Sequence, residues 1–209
     1  VKFVQEMEGL EQNKRRREGM KRFLFSGLLV LALALPTVAS AQEVEKEVHV
    51  TGGNLLVTQS NIKFSDITLA VRQQQQSQAV VTSRVIDDRG NGNGWVVSQS
   101  ATDFVTTLNG QDFYIPIDAV KVTATLKNTI SGMPLDFSHG GHLAQDQVLS
   151  NQDMPIFSAG VTTGQGAYDF ELHYTLSLPQ IIRASDGKEI GVVAGTYKST
   201  FTTTATSGI

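Results

Sequence analysis

The stretch Tyr168-Asp169-Phe170-Glu171-Leu172-His173-Tyr174-Thr175-Leu176-Ser177-Leu178 alternates apolar and polar side chains from end to end. Tyr168, Phe170, Leu172, Tyr174, Leu176 and Leu178 fall on one face, and Asp169, Glu171, His173, Thr175 and Ser177 on the other. A period of two is the side-chain repeat of a β-strand, because successive Cβ atoms point to opposite sides of the pleat. One greasy face and one wet face describe an antiparallel sheet packed on one side only. Val120 to Lys127 repeats the pattern, with Val120, Val122, Ala124 and Leu126 opposed to Lys121, Thr123, Thr125 and Lys127. Beyond residue 41, Val, Ile and Thr outnumber Ala, Leu and Met about two to one. Such β-branched side chains fit a pleated, half-buried surface.

Weaker strand patterns run over Val48 to Thr58, Ile62 to Val71, Ala79 to Ile86, Trp95 to Ser100, Phe113 to Ile117 and Thr196 to Thr206. Turn chemistry separates many of them. Asp87 to Gly94 is a Gly/Asn loop suited to positive φ, and Asn109-Gly110 and Asp186-Gly187 are hairpin signals. Gln73 to Gln76 reads as a loop or an edge, and Leu143 to Asn151 as a helical turn or two. About eight short strands in one chain predict an all-β fold, a single antiparallel β-sandwich of Ig-like, Greek-key type. One internal echo stands out. Gly166-Ala167-Tyr168 and Gly195-Thr196-Tyr197 are 29 residues apart, each followed by an apolar residue and a Thr at matching offsets. Chance between two Thr-rich strands is the alternative reading of that echo.

The chain has 209 residues, 40% apolar and 18% charged, with a net charge of -3 and no cysteine. That length and polarity suit one domain or two small ones, and exclude a disordered chain. Without cysteine there is no disulfide scaffold, cysteine zinc site, thiol nucleophile or acylated cysteine anchor. Mild acidity argues against a nucleic-acid partner. Residues 20–41 read as a secretory signal peptide: Lys21 and Arg22, the apolar run Phe23 to Leu35, Pro36, then the small residues Ala39-Ser40-Ala41. The run is shorter than the roughly 20 residues that span a bilayer, so no membrane span is expected after processing. Residues 1–19 are expected to be an upstream extension, with Met20 the true start; a genuine basic extension of the signal is the alternative. Residues 42–209 then form the single mature domain, which carries ten basic and sixteen acidic residues.

Two stretches resemble the motifs of the WxL domain family. Gly94-Trp95-Val96-Val97-Ser98-Gln99-Ser100-Ala101-Thr102-Asp103-Phe104, after its Gly/Asn loop, is similar to the first motif. The run from Tyr168 through Leu172, Tyr174 and Leu176 to Pro179 is similar to the second. Val97 stands where the family favours Leu, and Tyr174 where it favours Trp, which makes this a divergent, WxL-like chain. The resemblance covers roughly Val48 to Ile209. It implies export from a Gram-positive cell, an all-β domain and non-covalent attachment to the cell wall through peptidoglycan or another wall polymer, with other surface proteins as further partners. It also puts the ligand at the motif positions Trp95, Val97, Tyr174 and Leu176. Large amphipathic rings can bury the flat C–H face of a sugar. They can equally be core: Tyr168 and Tyr174 lie on the apolar face and are expected inside, whereas for Trp95 both readings stay open.

No catalytic residue, cofactor or metal is assigned. His139 and His142, with Asp136 and Asp146 nearby, form the most site-like cluster, but the intervening glycines indicate a solvated loop rather than a zinc site. No G-x-S-x-G elbow, P-loop or dinucleotide fingerprint occurs. Asp87-Asp88 and the pair Asp169/Glu171 are the only carboxylates arranged even nominally for sugar hydrolysis, and Asp169 and Glu171 read better as charges that keep an exposed strand soluble. The leading expectation is a non-catalytic, wall-attached surface protein. The alternative is a structural subunit of an extracellular fibre or surface layer, in which the Thr-rich strand Thr196 to Thr206 pairs with a neighbour.

Overall fold

The computed structural model describes residues 47–70 and 73–208. The expected signal peptide over 20–41 and the expected extension over 1–19 lie outside the described residues. The strands form a body that starts at His49. Among the described residues there is no α-helix. The one helical element is the short 3-10 turn Ile117–Ala119.

Alternation builds the largest sheet. Its order is β1 (Leu55–Gln59), β2 (Gln75–Asp87), β10 (Gly166–Leu178), β6 (Val120–Gly132) and β8 (Gln147–Val148). The deciding stretch lies within β10, at the centre of that sheet. It is antiparallel to β2 along its whole length, with Tyr168 opposite Val85 and Tyr174 opposite Ala79. On its other side β6 pairs from Leu176↔Val120 to Gly166↔Gly132, with two register shifts near Ala167 and Asp169. A second sheet has the order β12 (Glu189–Gly191), β11 (Ile181–Ala184), β5 (Gln111–Ile115), β4 (Phe104–Leu108). A third has the order β13 (Phe201–Ser207), β3 (Trp95–Ala101), β9 (Met154–Ala159), β7 (His142–Leu143). The fold is therefore all-β, in three antiparallel sheets.

All three sheets contribute to one apolar core. Its centre is aromatic. The ring of Phe157 (β9) stacks on Phe170 (β10) at 4.1 Å between centroids. Trp95, at the start of β3, meets Phe157 and Phe170 edge-on at 6.2 and 6.0 Å, and Tyr168 at 6.3 Å. The indole N–H of Trp95 donates to the Gly164 carbonyl at 2.9 Å, which satisfies the one polar atom that the ring takes out of water. Gly164 has φ +83°, and a Cβ there would lie 2.7 Å from that indole nitrogen, so the cap needs glycine. Gly94 is equally constrained, with φ +66° and only 2.5 Å between a built Cβ and the Ala159 carbonyl oxygen.

The two hairpin signals fold as read. Asn109 (φ 52°) and Gly110 (φ 79°) link β4 to β5, and Gly187 (φ 84°) links β11 to β12. Other expectations need correction. The segment expected to turn helically holds Leu143 of β7 and the whole of β8, whereas the Gln tract is the loop and edge that was expected: Gln73 and Gln74 precede β2, and Gln75 and Gln76 pair with β10 but not with β1. Of Val48 to Thr58, only Leu55–Gln59 is in a ladder, and Ile62 to Leu69 is in none. The echoed tyrosines do the same local job. Each hydroxyl donates to a carbonyl just upstream, Tyr168 to Gln165 at 2.8 Å and Tyr197 to Val193 at 3.0 Å. This hydroxyl-to-backbone tie is the one that fixes a tyrosine corner.

Candidate functional site

Trp95, Val97, Tyr174 and Leu176 are 0, 1, 0 and 6% exposed. The structure places all four in the core; Trp95, Val97 and Tyr174 are closed to solvent, while Leu176 also reaches a groove. Tyr174 is held there by a polar ring. Its hydroxyl donates to Gln99 Oε1 at 2.8 Å and accepts from Gln59 Nε2 at 3.3 Å. Gln99 Nε2 donates to Thr203 Oγ1 at 3.1 Å, and Thr203 donates to Gln59 Oε1 at 3.0 Å. The four residues come from β10, β3, β1 and β13, so the ring ties the edges of two sheets together. Burial pushes the Tyr174 hydroxyl up to about 12, although its hydrogen bonds to Gln99 and Gln59 act the other way. Among the described residues no buried side-chain N or O lacks a partner. Tyr174→Phe is expected to cost about 1–2 kcal/mol in urea unfolding, because it leaves Gln99 Oε1 and Gln59 Nε2 without their partner.

A groove of about 1000 Å³ opens on the described body. Its walls are two segments outside the ladders, the second with a bend at Gly195. Ile62, Phe64 and Ile67 come from one, and Val193 and Tyr197 from the other, with Leu176 of β10 at the floor. Tyr174 does not line the groove but props it from below, because its ring packs edge-on against Phe64 and Phe201 at 6.4 and 5.9 Å. Lys63, Asp66 and Lys198 are the charged residues along the groove. Neither lysine pairs with a carboxylate among the described residues.

The wall backbones are largely unpaired. Ser65 N–H donates to the Gln78 carbonyl, and Lys198 exchanges both hydrogen bonds with Val105. Between those ties, Ile62, Lys63, Phe64, Asp66 and Ile67 make no backbone–backbone hydrogen bond among the described residues, and neither do residues 192–197. Side chains occupy two of the wall carbonyls, Val193 by the Tyr197 hydroxyl and Ser65 by the Ser77 hydroxyl; a slot flanked by N–H and C=O groups that otherwise lack a backbone partner is the arrangement that accepts an added strand.

Of the carboxylates considered for hydrolysis, Asp169 and Glu171 are engaged in ion pairs. Asp169 accepts a two-pronged hydrogen bond from Arg84 at 2.7 and 3.0 Å. Glu171 accepts from Lys127 at 2.9 Å and lies 2.8 Å from His173. Hydrogen bonding to Arg84 lowers the Asp169 pKa, and hydrogen bonding to Lys127 and then His173 lowers that of Glu171. A general acid for glycoside cleavage needs the opposite shift. The sign for stability follows. A carboxylate whose folded pKa is depressed stabilises the fold above its unfolded pKa, and that stability is lost as pH falls through the folded value. Asp169→Asn is therefore expected to flatten the decline of stability below about pH 4 in acid titrations of the urea midpoint. An unchanged acid limb would reject the link.

His139 and His142 do not converge. His139 Nδ1 lies 2.6 Å from Asp136 in an exposed turn, and His142 is in β7. Two hydrogen bonds from Ser138, followed by the one with His139, bring the Asp136 carboxyl down to about 2. No group of three potential metal ligands occurs among the described residues. No helix among them is long and apolar enough to cross a membrane. Sequence reasoning reached the groove only in part, through Leu176 and through Tyr197 of the echo. Comparison with family models, with curated proteins and with solved structures gave no match.

Proposed function

We propose that this chain is an exported, non-catalytic surface protein whose working contact is strand addition, so that it serves as a structural subunit outside the cell. The carrying observation is the groove: among the described residues its two walls lie outside the ladders, most of their backbone groups make no backbone–backbone hydrogen bond, and Ile62, Phe64, Ile67, Val193 and Leu176 line it. The edge position of β13, next to one of those walls, supports the same reading. Sedimentation velocity of the processed protein over a wide concentration range tests it. Concentration-dependent growth of the sedimenting species is expected, and a strictly monomeric profile would overturn the reading.

A second reading is non-covalent attachment to a Gram-positive wall by a WxL-like sandwich. In it the five-stranded sheet and the sheet containing β3 are opposed layers of one sandwich. It is favoured because the two motif-like stretches, far apart in sequence, pack on one another through Trp95, Tyr168 and Phe170. On this reading the motifs act as the internal brace of a domain that binds by its surface. Retention of the processed protein on isolated peptidoglycan sacculi, above a matched acidic control, is the expected outcome. Equal wash-through of the two would sink it.

A further inference from the structure

Among the described residues, three stretches that lie outside the ladders concern this groove. Two are the groove walls. The third is the segment leading into β1. Val48 and Val50 alternate there with His49 and Thr51, and they are 83 and 84% exposed, the most exposed large apolar residues described. The first backbone tie after them is Gly53 N–H to the Asp88 carbonyl at 2.7 Å. An alternating apolar segment left in water gains by finding a pleated partner.

We infer that residues 47–51 of a second copy add as an extended strand in this groove, with Val48 and Val50 facing Phe64, Val193 and Tyr197. The inference rests on the strand-addition reading and names its occupant. Charge matches the assignment. The segment carries Glu47 and no Lys or Arg, and the sequence just ahead of it adds Glu43 and Glu45 against a single Lys46, while the groove offers Lys63 and Lys198 against the single Asp66. Length matches too, since five extended residues reach about 17 Å, enough to run along a wall such as 62–67. Main-chain hydrogen bonds to the free wall groups give affinity, and the alternate valines give register. The donor segment and the groove are different surfaces of one chain. The contact is therefore head-to-tail, and it propagates into open chains of subunits unless the rotation between copies closes a ring.

Because the native chain has no cysteine, cross-linking reads the contact directly. Val50→Cys protein is mixed with a mass-tagged Val193→Cys protein, oxidised and separated without reductant. A mixed dimer well above the yield with Gly187→Cys, placed on the exposed turn between β11 and β12, is expected. Equal yields from the two mixtures, or no mixed dimer, would overturn the inference. In parallel, Val48→Asp/Val50→Asp is compared with the native protein by sedimentation. Both sites are exposed, so the circular-dichroism spectrum stays native, while the association midpoint is expected to rise tenfold or more, about the effect of losing one buried valine. Native protein that associates while the double variant associates equally well defeats this inference and leaves strand addition standing. Native protein that never associates defeats both.

Discussion

Replacing Trp95 with alanine is expected to cost roughly 3–5 kcal/mol of folding stability, the range for deleting a fully buried large aromatic. The ring is closed to solvent, is packed against Phe157, Tyr168 and Phe170, and has its N–H bound to the Gly164 carbonyl. Its removal leaves a cavity at the meeting point of β3, β9 and β10, and the Gly164 carbonyl loses its donor. For a domain of this size that loss lowers the melting temperature by about 10 °C or more. Urea unfolding followed by circular dichroism measures it. The native protein supplies an independent control, because Trp95 is the only tryptophan. Its emission should be blue-shifted and shielded from iodide in the folded state. A ligand platform makes the contrary prediction: an indole open to quencher, and an alanine variant of near-native stability that has lost its ligand. Trp95→Phe separates packing from hydrogen bonding, because it keeps most of the ring but not the donor, and should fall between the two.

What was legible in the sequence depended on which faces of a strand are wet. β10 and β6 are half-solvated over long spans, so their alternation survives in the residues and was read correctly. In β9, Ile156, Phe157, Ser158 and Ala159 are all buried. With both faces covered there is no polar beat to read, and the strand was missed. β4, β11 and β12 are too short for a period to declare itself. The opposite error occurred at 48–54 and 62–69. The alternation is real there, but a ladder also needs a neighbour, and no sequence pattern states whether one is within reach. The candidate site was ambiguous for a related reason. Trp95 and Tyr174 have the chemistry of a sugar platform and also the chemistry of a core with a polar handle. Only burial and the partners Gly164 and Gln99 separate the two. Leu176 is the one predicted ligand residue that the groove touches.

The second large effect is expected at Arg89, in a loop that the sequence marked only for its glycines. Asp87 ends β2 with its side chain almost wholly buried. Its two oxygens accept from Arg89 Nε at 2.8 Å and Nη2 at 2.9 Å, and Oδ1 also accepts from the Arg89 backbone N–H at 3.2 Å. Nη2 reaches the Gly94 carbonyl at 2.7 Å, and Nη1 donates to Ser207 Oγ. One guanidinium thus joins the end of β2, the glycine loop and the end of β13. Arg89→Ala strands a buried carboxylate and frees both attachments, so a loss of roughly 3–5 kcal/mol is expected in urea unfolding. Arg89→Lys keeps the charge but not the fork, and should recover only part of that loss. The informative variant is the pair Asp87→Leu/Arg89→Met. A buried ion pair costs its desolvation, and replacing both partners with apolar side chains is often close to neutral. The double variant should therefore be more stable than Arg89→Ala, even though it changes more atoms. A double variant less stable than the single would mean that the ties to Gly94 and Ser207, rather than the stranded charge, dominate the cost. The glycine loop would then owe its place to those two anchors, and the ion pair would matter mainly for aiming the arginine at them.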